Sequence, residues 1–323
     1  MPDIDLGKAF ARLEAATPRR ESGRVTEVTG LVIRASVPGV RIGEMVNISS
    51  GGASRPDAVP LRAECVGFRG DEIVLMPLGD AAGIGPDSLV TPTSRPFSIT
   101  VSDRLLGRVL DGLGNPIDGG GPIDGDGAGA REWAVDRPAP DPLSRPRVSR
   151  PLPLGVRVLD ALLTVGEGQR IGIFAGSGVG KSTLMGQIAR QTEADVNVIA
   201  LVGERGREVV DFLEESLGPQ GLSRAVVVCA TSDAPSLVRL KAAFVATAVA
   251  EYFREQGRRV LFMLDSITRG ARAARGRAGR RRAARAPGLS AQRVRVVAAP
   301  ARAYRQRRAW IDHRPLHRAG RGR

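Results

Sequence analysis

The spacing of apolar and polar positions changes character along the chain. Residues 1–20, MPDIDLGKAFARLEAATPRR, are amphipathic with early acids and predict a short helix. From Gly23 to Leu78 the pattern shortens to that of strands. RVTEVTGLVIRAS, EMVNIS, LRAECVGF and EIVLMPL are β-rich runs separated by Gly, Pro and Asp. Short strands at close spacing predict a small β-barrel or sandwich. Residues 79–99 read as a polar connection containing Gly and Pro, and residues 107–154 as mostly loop.

From Arg157 onward strands and helices alternate. RIGIFA predicts a strand, followed by a glycine-rich loop and a helix from Lys181. VNVIALVG predicts a strand, with a helix at Glu208–Leu217 after it. AVVVCAT predicts another strand, with a helix around Ser236–Gln256, and RRVLFMLD a further strand. Near-continuous apolar strands alternating with helices predict a parallel sheet covered on both faces. The fold class expected is therefore α/β, with a small β-barrel in front.

At 323 residues the chain is long enough for two cores, and an aromatic content of 4% requires those cores to be aliphatic. No apolar run is long enough to span a bilayer, and the N-terminus does not read as a signal peptide. Cys65 and Cys229 lie inside apolar runs, as reduced thiols buried in a cytosolic protein do. The net charge of +14 is unevenly placed. From Gly270 to the end there are 17 arginines, no lysine and one acid, Asp312, which leaves the first 269 residues near neutral, at −2. The basic character belongs to the tail, and the body does not read as a nucleic-acid binder.

The strongest chemical signal is AGSGVGKST, Ala175–Thr183, between a predicted strand and a predicted helix. In such a loop Gly176, Ser177, Gly178, Val179, Gly180, Lys181, Ser182 and Thr183 cradle phosphates with backbone N–H groups. Gly178 and Gly180 permit the tight path, Lys181 reaches the β- and γ-phosphates of ATP, and Ser182 offers a hydroxyl to Mg²⁺. Ala175 stands where the strict pattern has glycine. Asp265 ends the apolar run VLFML, where an acid can hold Mg²⁺ through its water shell. Glu204 follows VNVIALVG, at the strand edge where parallel sheets bind ligands, and is a candidate to orient or deprotonate a water.

GERGREVVDFLEESLG, ATSDAPSLVRLKAAFVATAVAEYFREQGRRVLFMLDSITR and LLGRVLDGLGNPIDGGGPI resemble the ATPases of type III protein export. These are the flagellar export ATPase and its injectisome relatives, similar in turn to the rotary F-type ATP synthase alpha/beta subunits. The resemblance covers about residues 23–269, and PLPLGVRVLDALLTVGEGQRIGIFAGSGVGKSTL is especially similar to the flagellar branch. It implies an N-terminal helical segment over 1–22, a β-barrel over 23–95 and a RecA-like nucleotide-binding domain over 96–269. It implies catalytic roles for Lys181, Glu204 and Arg205, and places Ser182 and Asp265 at the metal. It also implies a cytoplasmic homohexamer peripheral to the inner membrane at the flagellar or secretion base. The partners implied are export-apparatus regulator and gate proteins, export substrates and chaperones, with no nucleic acid.

After DSITR the resemblance stops and GARAARGRAGRRRAARAPGLS follows. A basic nucleic-acid arm is one explanation, a shift of reading frame the other. Gly288–Val294, written GGG CTA TCC GCC CAG CGT GTT, reads G-Y-P-P-S-V-F one nucleotide later. Trp310–His317, written TGG ATC GAT CAC CGC CCT CTA CAC, reads G-S-I-T-A-L-Y-T. Both strings resemble the family in the right order, so residues 270–323 are expected to be an off-frame, disordered, Arg-rich tail. His313 and His317 are then accidents of translation. A tail without aliphatic periodicity cannot finish a parallel sheet, and the family's inserted arginine is lost with the rest of the domain. The chain as written is expected to bind ATP poorly and hydrolyse it barely. The rival readings are a rotary ATP synthase subunit, a nucleic-acid-binding hexameric P-loop protein and an inactive product of a damaged gene.

Overall fold

The computed structural model describes residues 21–30, 32–49, 59–123, 129–139, 141, 143, 145–175 and 178–270. The expected N-terminal helix, Gly176, Ser177 and the tail from residue 271 lie outside the described residues. The described part divides into two compact units, the first ending at Phe97 and the second starting at Ser98.

In the first unit, strands β1 (Gly23–Thr29), β2 (Val32–Ser36), β3 (Glu44–Ser49), β4 (Leu61–Arg69), β5 (Glu72–Pro77) and β6 (Leu89–Pro96) close a barrel in the order β1-β2-β5-β4-β3-β6. Alternation drives this closure. Ile33 and Ala35 of β2 are fully buried while their neighbours Val32 and Arg34 are not. They meet Val46, Ile48, Ala63, Cys65, Ile73, Leu75 and Val90 in one aliphatic core.

Strand β6 corrects the reading of residues 79–99 as connection. It pairs with both β1 and β3, with Pro92 opposite Val46 and Pro96 opposite Glu44. Proline brings no N–H to a ladder, which hides the strand from composition. The ladder slips between Glu44 and Val46, and the Glu44 carboxylate fills the gap. It accepts from the Ser94 N–H at 2.8 Å and from the Arg41 N–H at 3.0 Å.

In the second unit, β7 (Ser98–Val101) and β9 (Arg131–Ala134) form an antiparallel ribbon. Strands β8 (Val109–Leu110), β10 (Val196–Val202), β11 (Ala225–Ala230) and β12 (Val260–Asp265) form a parallel sheet in the order β12-β10-β11-β8. The helices are α1 (Arg157–Leu162), α2 (Lys181–Gln191), α3 (Gly206–Asp211, running into a wider π turn over Phe212–Leu217), α4 (Gly218–Leu222) and α5 (Ser236–Glu255). Ile199, Leu201, Val227 and Cys229 pack from the sheet against Met185, Ile188, Phe212 and Leu217. The alternate residues Val198, Ala200, Val226 and Val228 are equally buried, and α5 packs along β10, β11 and β12. Both faces of the central strands are covered, as their unbroken apolar runs require. Arg131 and Arg137 stack on the Trp133 ring at 4.6 and 4.3 Å, and Tyr252 of α5 meets that ring edge-on at 5.6 Å, which fastens β9 to α5.

The second correction concerns RIGIFA. Arg170–Ala175 is not a strand, and Ile171, Ile173 and Phe174 are exposed at 48%, 36% and 97%. Among the described residues no strand pairs with this segment, which leaves it irregular. Both cysteines are buried free thiols, and burial pushes Cys229 up to about 11. No described helix is long and apolar enough to cross a membrane.

Candidate nucleotide site

The candidate residues converge at the C-terminal end of the parallel sheet. Helix α2 starts at Lys181 because Gly180 ahead of it takes a left-handed φ of 92°, and Gly178 takes 76°. Nothing crowds a Cβ at either position, so conformation rather than space calls for glycine. Lys181 Nζ is ion-paired to Asp265 Oδ1. Asp265 is only 4% exposed, so this cation is what compensates its burial. Ser182 and Thr183 are exposed on the first turn of α2, and Val179 is exposed in the loop.

Glu204 lies just past the end of β10, the strand next to β12. β10 and β12 run parallel with Leu201 level with Asp265, so Glu204 follows three residues beyond that level. Its backbone is fixed by the Ser232 N–H, which donates to the Glu204 carbonyl at 2.9 Å. The Glu204 carboxylate is ion-paired to Arg269. Burial raises the Glu204 pKa above the ordinary carboxylate value, Arg269 opposes that rise, and Glu208 and Asp265 add to it. Glu208, which shares a hydrogen bond with Glu204 and pairs with Arg205 at 2.7 Å, is held down at about 2. The two carboxyls are thus shifted in opposite directions.

Arg205 is 80% exposed and turned onto Glu208, away from the Lys181–Asp265 pair. Arg269 is the residue that sequence reading left without a role. It ends DSITR, one turn beyond Asp265, where its N–H donates to Ser266 Oγ at 3.3 Å. A Cβ added to Gly203 would meet the Arg269 side chain at 3.2 Å, so a residue larger than glycine there would crowd the stem that carries the guanidinium. Its signal was the sequence position: an arginine four residues past a strand-ending Asp returns to the same sheet edge.

The donor set fits a magnesium nucleotide. Hard oxygens from Ser182 and Asp265 suit Mg²⁺, and glycines at positive φ beside a lysine suit phosphate.

Two family models match the chain. The ATP synthase alpha/beta family, nucleotide-binding domain, matches residues 155–304, and the beta-barrel domain of that family matches residues 25–94. The flagellum-specific ATP synthase of Bacillus subtilis (strain 168) is 49% identical over 263 residues, 81% of this chain and 58% of that protein. The type 3 secretion system ATPase of Xanthomonas euvesicatoria is 51% identical over 257 residues, 79% of this chain and 56% of that protein. The chain thus spans a little over half the length of these relatives. The solved structure of the assembled ATPase EscN in complex with its central stalk EscO, from the enteropathogenic E. coli type III secretion system, superposes with a TM-score of 0.71 at 40% identity. The match covers 90% of this chain and 67% of that one.

Proposed function

Since the chain belongs to the ATP synthase alpha/beta family, we propose that its second unit carries the phosphate-binding side of an ATP site whose work in the longer protein is hydrolysis coupled to protein export. The observation that carries this reading is the Lys181–Asp265 pair at the sheet edge, with Glu204 just past the end of the adjacent strand.

The pair defines what nucleotide must do on entry. Lys181 exchanges the Asp265 carboxylate for the β- and γ-phosphates, and Asp265 is released toward Ser182. Mg²⁺, when bound there, neutralises phosphate charge as the terminal bond breaks. Glu204 orients the attacking water and accepts its proton, and its raised pKa brings it closer to the range where a base is effective. Arg269 holds the Glu204 carboxyl in place, and Arg205 lies close enough in sequence to swing from Glu208 toward the γ-phosphate.

By likeness to the assembled EscN and its stalk, the longer protein works as a homohexamer with a regulator, in the cytoplasm at a flagellar or secretion base. Export substrates, chaperones and a gate protein are its remaining partners. A neighbouring subunit then completes the site with an arginine worth roughly 10³–10⁵ in rate. We propose further that the Arg-rich segment after Arg269 does not supply that arginine, and that Mg-ATP turnover by this chain is correspondingly slow.

Titration with a fluorescent ATP analogue and Mg²⁺ tests the reading. Lys181→Ala should weaken binding at least about tenfold, the loss of a phosphate-paired cation. Unchanged affinity would remove the site. Steady-state turnover should lie about 10³-fold or more below that of the Bacillus subtilis relative. Equal turnover would remove the reading of impairment and leave the site standing.

A further inference from the structure

Helix α2, which brings Lys181 and Ser182 to the site, is tied most firmly at its far end. Ala189 lies in its last turn, where carbonyls find no partner inside a helix. The Ala189 carbonyl accepts from Asn197 Nδ2 at 2.7 Å and from Arg224 Nη2 at 3.4 Å. Arg224 Nη2 also donates to the carbonyl of Thr192, just past the helix. Thr192 Oγ1 in turn donates to the Pro153 carbonyl at 3.2 Å. Asn197 is the second residue of β10, and Arg224 immediately precedes β11. The two are held together, because the Asn197 N–H donates to the Arg224 carbonyl at 2.9 Å.

Packing alone does not account for this tie. Asn197 is the one polar residue of VNVIALV and is fully buried. Among the described residues its Oδ1 has no hydrogen-bond partner, and neither has Arg224 Nε. A buried polar atom without a partner costs stability that an apolar side chain would not. Each side chain therefore sits here at a cost, and what each gives is a hydrogen bond to the end of α2. The front of the helix is held by less. Ser182 and Thr183 are exposed, and the Lys181–Asp265 pair there has to open when phosphate enters.

We propose that Arg224, with Asn197, is a positioning residue of the nucleotide site. It fixes α2 along its axis, so that Lys181 and Ser182 stay within reach of the phosphates once the Lys181–Asp265 pair has opened. This inference rests on the ATP reading above. A helix of 11 residues puts the end that Arg224 holds about 16 Å from Lys181, twice the ~8 Å Debye length at physiological salt. Arg224 therefore acts through the helix and not through its field on the phosphates.

Titration of the full chain with a fluorescent ATP analogue and Mg²⁺, reading both Kd and the fraction of chain that binds, tests the proposal. Arg224→Met should weaken Kd about tenfold, as a displaced binding group does, with the same ratio to the parent at low and high salt. Arg224→Lys keeps the charge but not the planar fork, and should fall between the two. Asp195→Asn removes the carboxylate that pairs with Arg259 at 2.9 Å, near the same end of the sheet, and should leave Kd unchanged. Without nucleotide, hydrogen exchange at the Leu184 and Met185 amides should quicken about tenfold in Arg224→Met, while β10 and β11 amides stay protected. A parent-like Kd in Arg224→Lys, or in whatever fraction of Arg224→Met still binds, would make the residue structural only and overturn the proposal. So would faster exchange confined to Gln191 and Thr192, which is the loss of a helix cap alone, and so would a deficit that salt abolishes. If Lys181→Ala also left Kd unchanged, the ATP reading would fall and this inference with it. A Kd sensitive to Lys181 and insensitive to Arg224 would overturn this inference alone.

Discussion

Glu204 is held between opposing influences: burial and the nearby Glu208 and Asp265 act against its ionisation, and the Arg269 guanidinium acts for it. Arg269→Met removes the strongest influence on the ionising side. The Glu204 carboxyl, followed by carbon-13 NMR, should then titrate at higher pH than in the parent chain; an unchanged or lower midpoint would refute the ion pair as its control. The linkage has a definite sign. A folded pKa above the unfolded value gives stability that is fully present below the ordinary glutamate range and is lost as pH rises through the folded pKa. Glu204→Gln cannot titrate, so urea midpoints measured from pH 4 upward should show this loss in the parent and not in the variant. Lys181, Asp265 and Glu204 were legible in the sequence because their chemistry is tied to local order: a glycine loop before a helix, an acid at a strand end. Arg269 was not, because its partner lies 65 positions earlier and only the parallel pairing of β10 with β12 brings the two together.

Strand β6 and the segment Arg170–Ala175 show at the level of elements that a strand is a relation between neighbours. β6 forms despite Pro92 and Pro96 because β1 and β3 leave a gap that it closes. Arg170–Ala175 has strand-like alternation, yet no described strand pairs with it and it stays irregular. Local pattern predicts readiness to pair; whether pairing occurs is decided elsewhere in the chain, which is why the four β-rich runs that hold the barrel's first five strands were readable and the sixth strand was not. The two-residue strand β8 makes the same point with a polar clasp. Asp118 accepts from Arg108 Nε and Nη2, both at 2.7 Å, from the Val109 N–H at 2.8 Å and from the Gly120 N–H at 3.0 Å. These bonds tie the Asp111–Gly121 loop back onto β8, and the Arg108 guanidinium holds the Asp118 carboxyl well below the usual range. Asp118→Asn keeps the shape and loses the charge, and should cost roughly 2 kcal/mol in urea unfolding at neutral pH. A depressed folded pKa gives stability present above the ordinary aspartate range and lost as pH falls through the folded value. The gap between parent and variant should therefore close in acid; a gap that is constant with pH would mean that packing, not ionisation, carries the clasp.

Across the whole molecule, charge divides near residue 270. The first 269 residues are close to neutral at −2, and they contain every described strand and helix, while the remaining residues hold 17 arginines and one acid. A basic chain invites a nucleic-acid reading, and the two sources of affinity are separable by salt. Binding through phosphate contacts falls with a slope of about −0.7 per neutralised phosphate on single strands. The full chain should bind single-stranded RNA at low salt with a steep slope of log affinity against log salt, with no preference among sequences. A chain ending at Gly270 should lose that binding while keeping whatever affinity it has for Mg-ATP, because Lys181, Ser182, Glu204, Asp265 and Arg269 all precede the cut. Steep, salt-dependent RNA binding by the shortened chain would instead place a nucleic-acid surface on the folded units, and would favour a nucleic-acid-dependent ATPase over an exporter.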